Sequence, residues 1–340
     1  MKKILIIISV ILVAIGLAIA FIALWGSSFD LSKSEKTVNE SEVYTGEINR
    51  VVIDASEEAT DVIIKKGADE KATLEISRRE NHTAEYSLND GTLTVKLQGE
   101  KRHFYEMFDF GPDNQITLTL PEGVYESLSV KASTGDIRIS SFEFSGDVTL
   151  EASTGDINIA NVKANAVSLE VSTGDIEASR ITVQDKVSLK STTGDVDADG
   201  ISSKTLSLIT KSGETEISRV TAEAIDMESG TGDIECSEIY VTGVASLRAS
   251  TGKIEIDKSE FTGKLNVTTT TGDIDVMSSD AGELEISAST GAVTLHLLTP
   301  KNFVAESSSG KKDIDGTVYT APLCKITTST GDITTRVVSK

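Results

Sequence analysis

Hydrophobic and polar residues alternate along most of this chain, and the alternation itself recurs. Ser-Thr-Gly-Asp-Ile stands at 133–137, 153–157 and 172–176, and variants follow around Gly194, Gly213, Gly232, Gly252, Gly272, Gly291, Gly310 and Gly331. From Gly135 the glycines are spaced by 20, 19, 20, 19, 19, 20, 20, 19, 19 and 21 residues. Aligned on the glycine, apolar side chains fill fixed columns. Two residues after it stand Ile137, Ile157, Ile176, Val196, Ile234, Ile254, Ile274, Val293 and Ile333. Five before it stand Val130, Leu150, Leu169, Leu189, Leu208, Met227, Leu247, Val267, Ile286 and Ile326. The intervening positions are Ser, Thr, Asp, Glu and Lys, so each unit reads as short strands with one buried face. A weaker apolar column seven after the glycine (Phe142, Val162, Ile181, Ile201, Val220, Ile239) implies a third, shorter side.

Equal units place the same residue at the same point of every turn of chain, which parallel stacking permits. The pattern predicts an all-β fold, a β-solenoid of about eleven 19–21-residue coils over residues 127–340. At about 4.8 Å per coil the rod is roughly 50 Å long. An antiparallel meander of hairpins explains the alternation, but not a glycine in every unit. Residues 46–126 are strand-rich and irregular, with runs at 50–54, 61–65, 73–77, 92–97 and 115–120. They read as degenerate coils capping the N-terminal end.

Ahead of the repeat, Lys2 and Lys3 precede an almost wholly apolar stretch, residues 4–25, closed by Trp25. As a helix it spans roughly 33 Å, enough to cross a bilayer. The flanking lysines keep residues 1–3 in the cytoplasm, which places the C-terminal domain outside the cell as a single-pass membrane protein. A cleaved signal peptide is the competing reading, with Ala18 and Ala20 as a poor cleavage site. Residues 26–45 are polar and read as a tether.

Composition narrows the function classes. The formal charge is -21, which repels nucleic acid and disfavours docking onto anionic lipid. Cys236 and Cys324 fall on inward positions four coils or more apart, beyond disulfide reach. His82, His103 and His296 show no metal-ligand spacing and suggest no catalytic role. No cofactor is implied.

Two groups of residues are candidates for binding. The column after the glycine holds Asp136, Asp156, Asp175, Asp195, Asp233, Asp273 and Asp332, with Glu214. Its simpler explanation is Asx-type turn chemistry, with the preceding threonines stacked as a hydroxyl ladder between coils. A carboxylate ladder holding Ca²⁺ is the functional alternative, and Lys253, Ala292 and Lys311 interrupt it. The second group is the aromatic patch Phe104, Tyr105, Phe108 and Phe110, four of the chain's sixteen aromatics. It reads either as a loop over the open core end or as a partner-binding surface.

The recurrent (S/T)-T-G-D-I motif, following Ile116-Thr-Leu-Thr-Leu-Pro-Glu-Gly123, resembles the bacterial putative-adhesin family that includes LiaG-like proteins. The resemblance covers roughly 46–340 and implies a membrane-bound envelope or surface protein without catalytic residues. Three functions compete. One is a non-enzymatic cell-surface interaction module in envelope stress, adhesion or scaffolding, whose partner is an envelope protein or wall polymer. Another is a carbohydrate-active β-helix enzyme, disfavoured because the even spacing leaves no room for cleft-building loops. The third is a self-associating rod, joined end to end through an uncapped last strand at 334–338, with Arg336 and Lys340 as gatekeepers.

Overall fold

A computed structural model of the protein describes residues 36–99 and 114–338, and every element in it is a strand. The apolar stretch 4–25 and the aromatic patch at Phe104, Tyr105, Phe108 and Phe110 lie outside the described residues. Among the described residues, no helix is long and apolar enough to cross a membrane.

The repeat forms a parallel β-solenoid. Neighbouring coils pair in register at homologous positions: Val148–Val167–Val187, Leu150–Leu169–Leu189 and Thr154–Thr173–Thr193 run side by side in successive layers. The inward columns make one continuous aliphatic core, with Ile157, Ile254, Ile274, Val293 and Ile333 wholly excluded from solvent. From Gly135 to Gly272 each coil turns twice near its motif. At the first corner the glycines from Gly135 to Gly331 take φ between +121° and +153°, Gly310 excepted. A Cβ there would overlap the carbonyl oxygen of the glycine one coil away, or of Thr60 in the case of Gly135. Two constraints, dihedral and steric, thus demand glycine. The second corner is left-handed, with Gly200 at φ of 66° in one coil and ordinary residues in the others: Ser141, Asn161, Arg180, Arg219, Glu238, Lys258 and Ser278 have φ of 47–68°.

The threonines do stack in register, but no hydroxyl-to-hydroxyl bond joins that column among the described residues. The inter-coil bond belongs to the aspartates instead. Nor do the aspartates cap amides of their own turn, as an Asx turn would. Asp136 Oδ1 accepts the N–H of Asp156 at 2.9 Å, Asp156 that of Asp175 at 2.9 Å, and Asp175 that of Asp195 at 2.8 Å.

The N-terminal cap differs from the expected degenerate coils. β1 (Thr37–Tyr44), β2 (Arg50–Lys66), β3 (Ala72–Arg79), β4 (Thr83–Asn89), β5 (Thr92–Gln98) and β6 (Asn114–Leu120) compose it. β2 is a true coil, parallel to the first repeat unit, with Thr60-Asp61 standing where later coils have Gly-Asp. β5 and β6 add one further parallel layer on β2. Beyond them the pairing turns antiparallel: β4 on β5, β3 on β6, and β1 on β3. Residues 37–44, expected to be tether, are therefore the outer strand of this cap.

At the other end the coils do not stack in chain order. Leu323–Thr330 pairs with the Gly291 coil through Leu284–Cys324 and Ile286–Ile326, and with Asn302–Ser307 on its other edge. Ile333–Val337 lies likewise between Val293–Leu297 and Lys312–Ile314. The order is thus Gly291, Gly331, Gly310, with the last segment inserted beneath the one before it. The expectation of an exposed final strand at 334–338 is wrong for this reason; the strand is internal. The side chains explain the order. The inserted coil brings Cys324, Ile326 and Ile333, all at 0% exposure, whereas the outer coil offers Phe303, Ala305 and Ile314. The more apolar segment takes the fully covered layer.

Candidate functional site

The Asp column is a structural spine. Wherever the position is Asp, its Oδ1 accepts the homologous amide of the next coil, at 2.7–2.9 Å, in eight bonds from Asp61 to Asp332. Asp136, Asp156, Asp175, Asp195, Asp233, Asp273 and Asp332 are brought together as one line, each with one oxygen committed to an amide. Charge-assisted bonds of this kind are short and about twice as strong as neutral ones. Among the described residues, no group of three or more His, Cys, Asp or Glu side chains is arranged to hold a metal ion.

Two positions further on lies a feature that reading unit by unit misses. Glu177, Asp197, Glu216, Glu235, Glu255 and Asp275 pair directly across successive coils. Six carboxylates therefore stand in file at the strand spacing of about 4.8 Å. Like charges placed directly opposite destabilise a sheet. At this separation the repulsion is about 1 kcal/mol per pair in bulk water and larger near a protein surface. Partial burial, then the surrounding Glu216, Glu255, Glu214 and Asp233, push the Glu235 carboxyl above its ordinary range. Burial and Asp199 do the same to Asp197. Lys253 bridges the far end of the file, with Nζ 2.6 Å from Glu255 and 2.9 Å from Asp275. The sequence signal was available: the third residue after each glycine is acidic in six consecutive units.

Sequence reasoning also missed a buried polar cluster in the cap. His82 Nδ1 lies 3.1 Å from Asn114 Oδ1, and its Nε2 lies 3.4 Å from Glu58 Oε2. Asn114 accepts the Arg79 amide and donates Nδ2–H to the Ala59 carbonyl at 2.7 Å. These groups hold the bulge of β2 between Ala55 and Ala59. Glu58, Arg79, His82 and Asn114 are each at most 5% exposed, so this is framework and not a reaction centre open to substrate. Cys236 and Cys324 are free and buried, and burial pushes the Cys324 thiol up to about 12. Two shallow clefts of about 370 and 400 Å³ flank the Pro121–Val124 turn; Lys66, Phe142 and Lys163 line one, Ile48, Glu70 and Tyr125 the other.

Residues 48–278 match the family described as Toastrack DUF4097. The chain belongs to that family. The Toastrack match ends before the reordered coils at Gly331 and Gly310. Similar solved structures include a putative adhesin from Parabacteroides distasonis, 15% identical with a TM-score of 0.45, covering 76% of this chain and 97% of that one. A putative adhesin from Parabacteroides merdae is 16% identical with a TM-score of 0.34, covering 76% and 95%. A putative lipid binding protein from Parabacteroides distasonis is 17% identical with a TM-score of 0.38, covering 75% and 95%. No curated protein matches the sequence.

Proposed function

We propose that this Toastrack protein is a non-enzymatic, membrane-anchored module of the cell surface, and that its acidic file docks a positively charged envelope protein or wall polymer. The observation that carries the reading is the file from Glu177 to Asp275: six stacked carboxylates held together against their own repulsion. A cationic partner relieves that repulsion, so partner binding and the local strain in charge are linked. On this reading the stretch 4–25 is the anchor, and the step of only twelve residues from Trp25 to the start of β1 supports a capped end that faces the membrane. The even coil spacing supports binding over catalysis, since the repeat carries no inserted loops to wall a cleft around the file.

In-cell photocrosslinking tests this. A photoreactive residue replaces Glu216 in the file or Thr154 outside it, in the full chain. The expected outcome is a defined partner captured at position 216, weakly at 154, and lost when Glu177, Asp197 and Glu235 become Gln. Equal capture at both positions, or capture indifferent to those substitutions, sinks the docking reading.

A further inference from the structure

The two ends of the rod are finished differently. At the N-terminal end the antiparallel strands β1 and β4 close the stack, and Glu40, Glu42 and Glu85 stand on these outer strands. Charged outer strands of this sort block edge-to-edge association. At the C-terminal end the outermost strands are Asn302–Ser307 and Lys312–Ile314, and among the described residues both pair only inward. Asn302–Ser307 contains neither Lys nor Pro, the residues that commonly protect an edge. Around it stand Val304 at 45% exposure, Val318 at 40%, Tyr319 at 86% and Leu323 at 40%. Terminal repeats of a solenoid ordinarily need a polar outer face. Charge agrees: over 301–322, Lys301, Lys311 and Lys312 balance Glu306, Asp313 and Asp315, in a chain of charge -21. This end does not repel its own copy.

We propose that the Gly310 coil is a self-association surface, with Asn302–Ser307 pairing antiparallel to the same strand of a second copy across a two-fold axis at Val304. The strand's alternation selects that register. Val304 and Glu306 face outward, while Phe303, Ala305 and Ser307 face the core side. Side chains directly opposite in an antiparallel pair share a face. Centring on Val304 sets Val304 against Val304, Phe303 against Ala305 and Asn302 against Glu306. The core column then continues across the join, and no like charges meet. A two-fold contact closes on itself, giving a dimer and not a filament. The coil inversion serves this arrangement: stacking in chain order would have buried Asn302–Ser307 and put Leu323–Thr330, with Lys325, at the tip. The inference stands apart from the docking and membrane readings.

The test uses the full chain in detergent solution. Sedimentation velocity over a concentration series is expected to show a dimer. Val304→Cys is expected to give a disulfide-linked dimer on oxidation, because the two sulfurs meet at the axis. Val124→Cys, at a position 62% exposed at the other end of the rod, is expected to stay unlinked. Cys236 and Cys324 are buried and do not compete. Val304→Lys, which sets two ammonium groups face to face, is expected to abolish the dimer while the circular dichroism spectrum of the folded chain stays unchanged. A chain monomeric throughout, equal crosslinking of both cysteine variants, or a dimer that survives Val304→Lys would each overturn the proposal. The crosslinking pair distinguishes this contact from association through residues 4–25.

Discussion

The carboxylate of Asp332 accepts the backbone N–H of Lys311 at 2.8 Å, although Lys311 precedes it in the chain and lies in the coil stacked outside it. This bond requires the inverted order. Stacked in sequence, Lys311 would face Ala292, which offers no acceptor, and Asp332 would hang at the open end. Ala292→Asp supplies the missing acceptor to the Asp332 amide and is expected to stabilise the C-terminal end by about 1 kcal/mol. Asp332→Ala is expected to cost about 1–2 kcal/mol. Chemical denaturation read by circular dichroism checks both signs; a loss on Ala292→Asp contradicts the ladder account.

The two kinds of corner respond differently to alanine. Gly174→Ala collides with the Gly155 carbonyl at φ of +136°, and is expected to cost 3 kcal/mol or more, a figure on the order of a full backbone strain term. Gly200→Ala has φ of +66° and no atom nearer than 3.6 Å to the new Cβ, and is expected to cost only about 1 kcal/mol. Comparable losses of Tm in the two variants would refute the carbonyl-overlap argument.

Lys301 pins the outer coil. Its Nζ, 2% exposed as a residue, is 2.7 Å from Asp280 and donates to the Ala281 carbonyl at 2.7 Å. Among the described residues the inserted coil contributes no strand on this side of the rod, so Lys301 reaches past its layer. Lys301→Met leaves Asp280 without its cation, held only by the Ala281 amide, and is expected to cost about 3–5 kcal/mol locally. Since a solenoid couples mainly through nearest neighbours, hydrogen exchange should quicken at 302–307 and stay unchanged near Gly174. Uniform quickening would show that the ends and middle unfold as one unit.

The acidic file has a pH signature. The Glu235 pKa is raised above 4.5 in the folded chain, so the folded state binds more protons than the unfolded one in the window just above that value. Its carboxylate is a burden at neutral pH that is relieved as pH falls through the folded pKa and wholly gone below 4.5. Glu235→Gln is therefore expected to raise Tm at pH 7 and leave it unaltered below pH 4.5, flattening the profile relative to the parent chain. An identical pH dependence in both proteins would dismiss the repulsion.

Much of this was legible in the sequence. The glycine corners, the columns at Val130 and Ile137 and their continuation through Ile326 and Ile333 follow from two-residue alternation on a fixed period, and they are the core observed. The order of the last coils was not legible from spacing, because 19 and 21 residues suit either arrangement. A subtler sign existed. The Gly310 unit alone among the eleven has no large apolar residue at either column, with Ala305 and Lys312 in those places. That poverty marks an end coil. β1 was hidden because its residue types do not follow its burial: over Thr37–Tyr44, Glu40 stands on the half-buried face and Val43 on the exposed one, so no apolar alternation shows. The His82–Glu58–Asn114 cluster was hidden because its members lie 24 to 56 residues apart and are joined only by the cap's antiparallel folding.

The inserted last coil also decides how the rod bears load. A solenoid that ends on its final strand can be peeled from the tip, one bond at a time. Here tension on the C-terminus falls on Leu323–Thr330 and Ile333–Val337, each zipped along both edges, so two ladders must shear together before the chain yields. Single-molecule pulling through the C-terminus should meet a force peak at the very start of extension; a smooth, low-force peel from the tip would deny it.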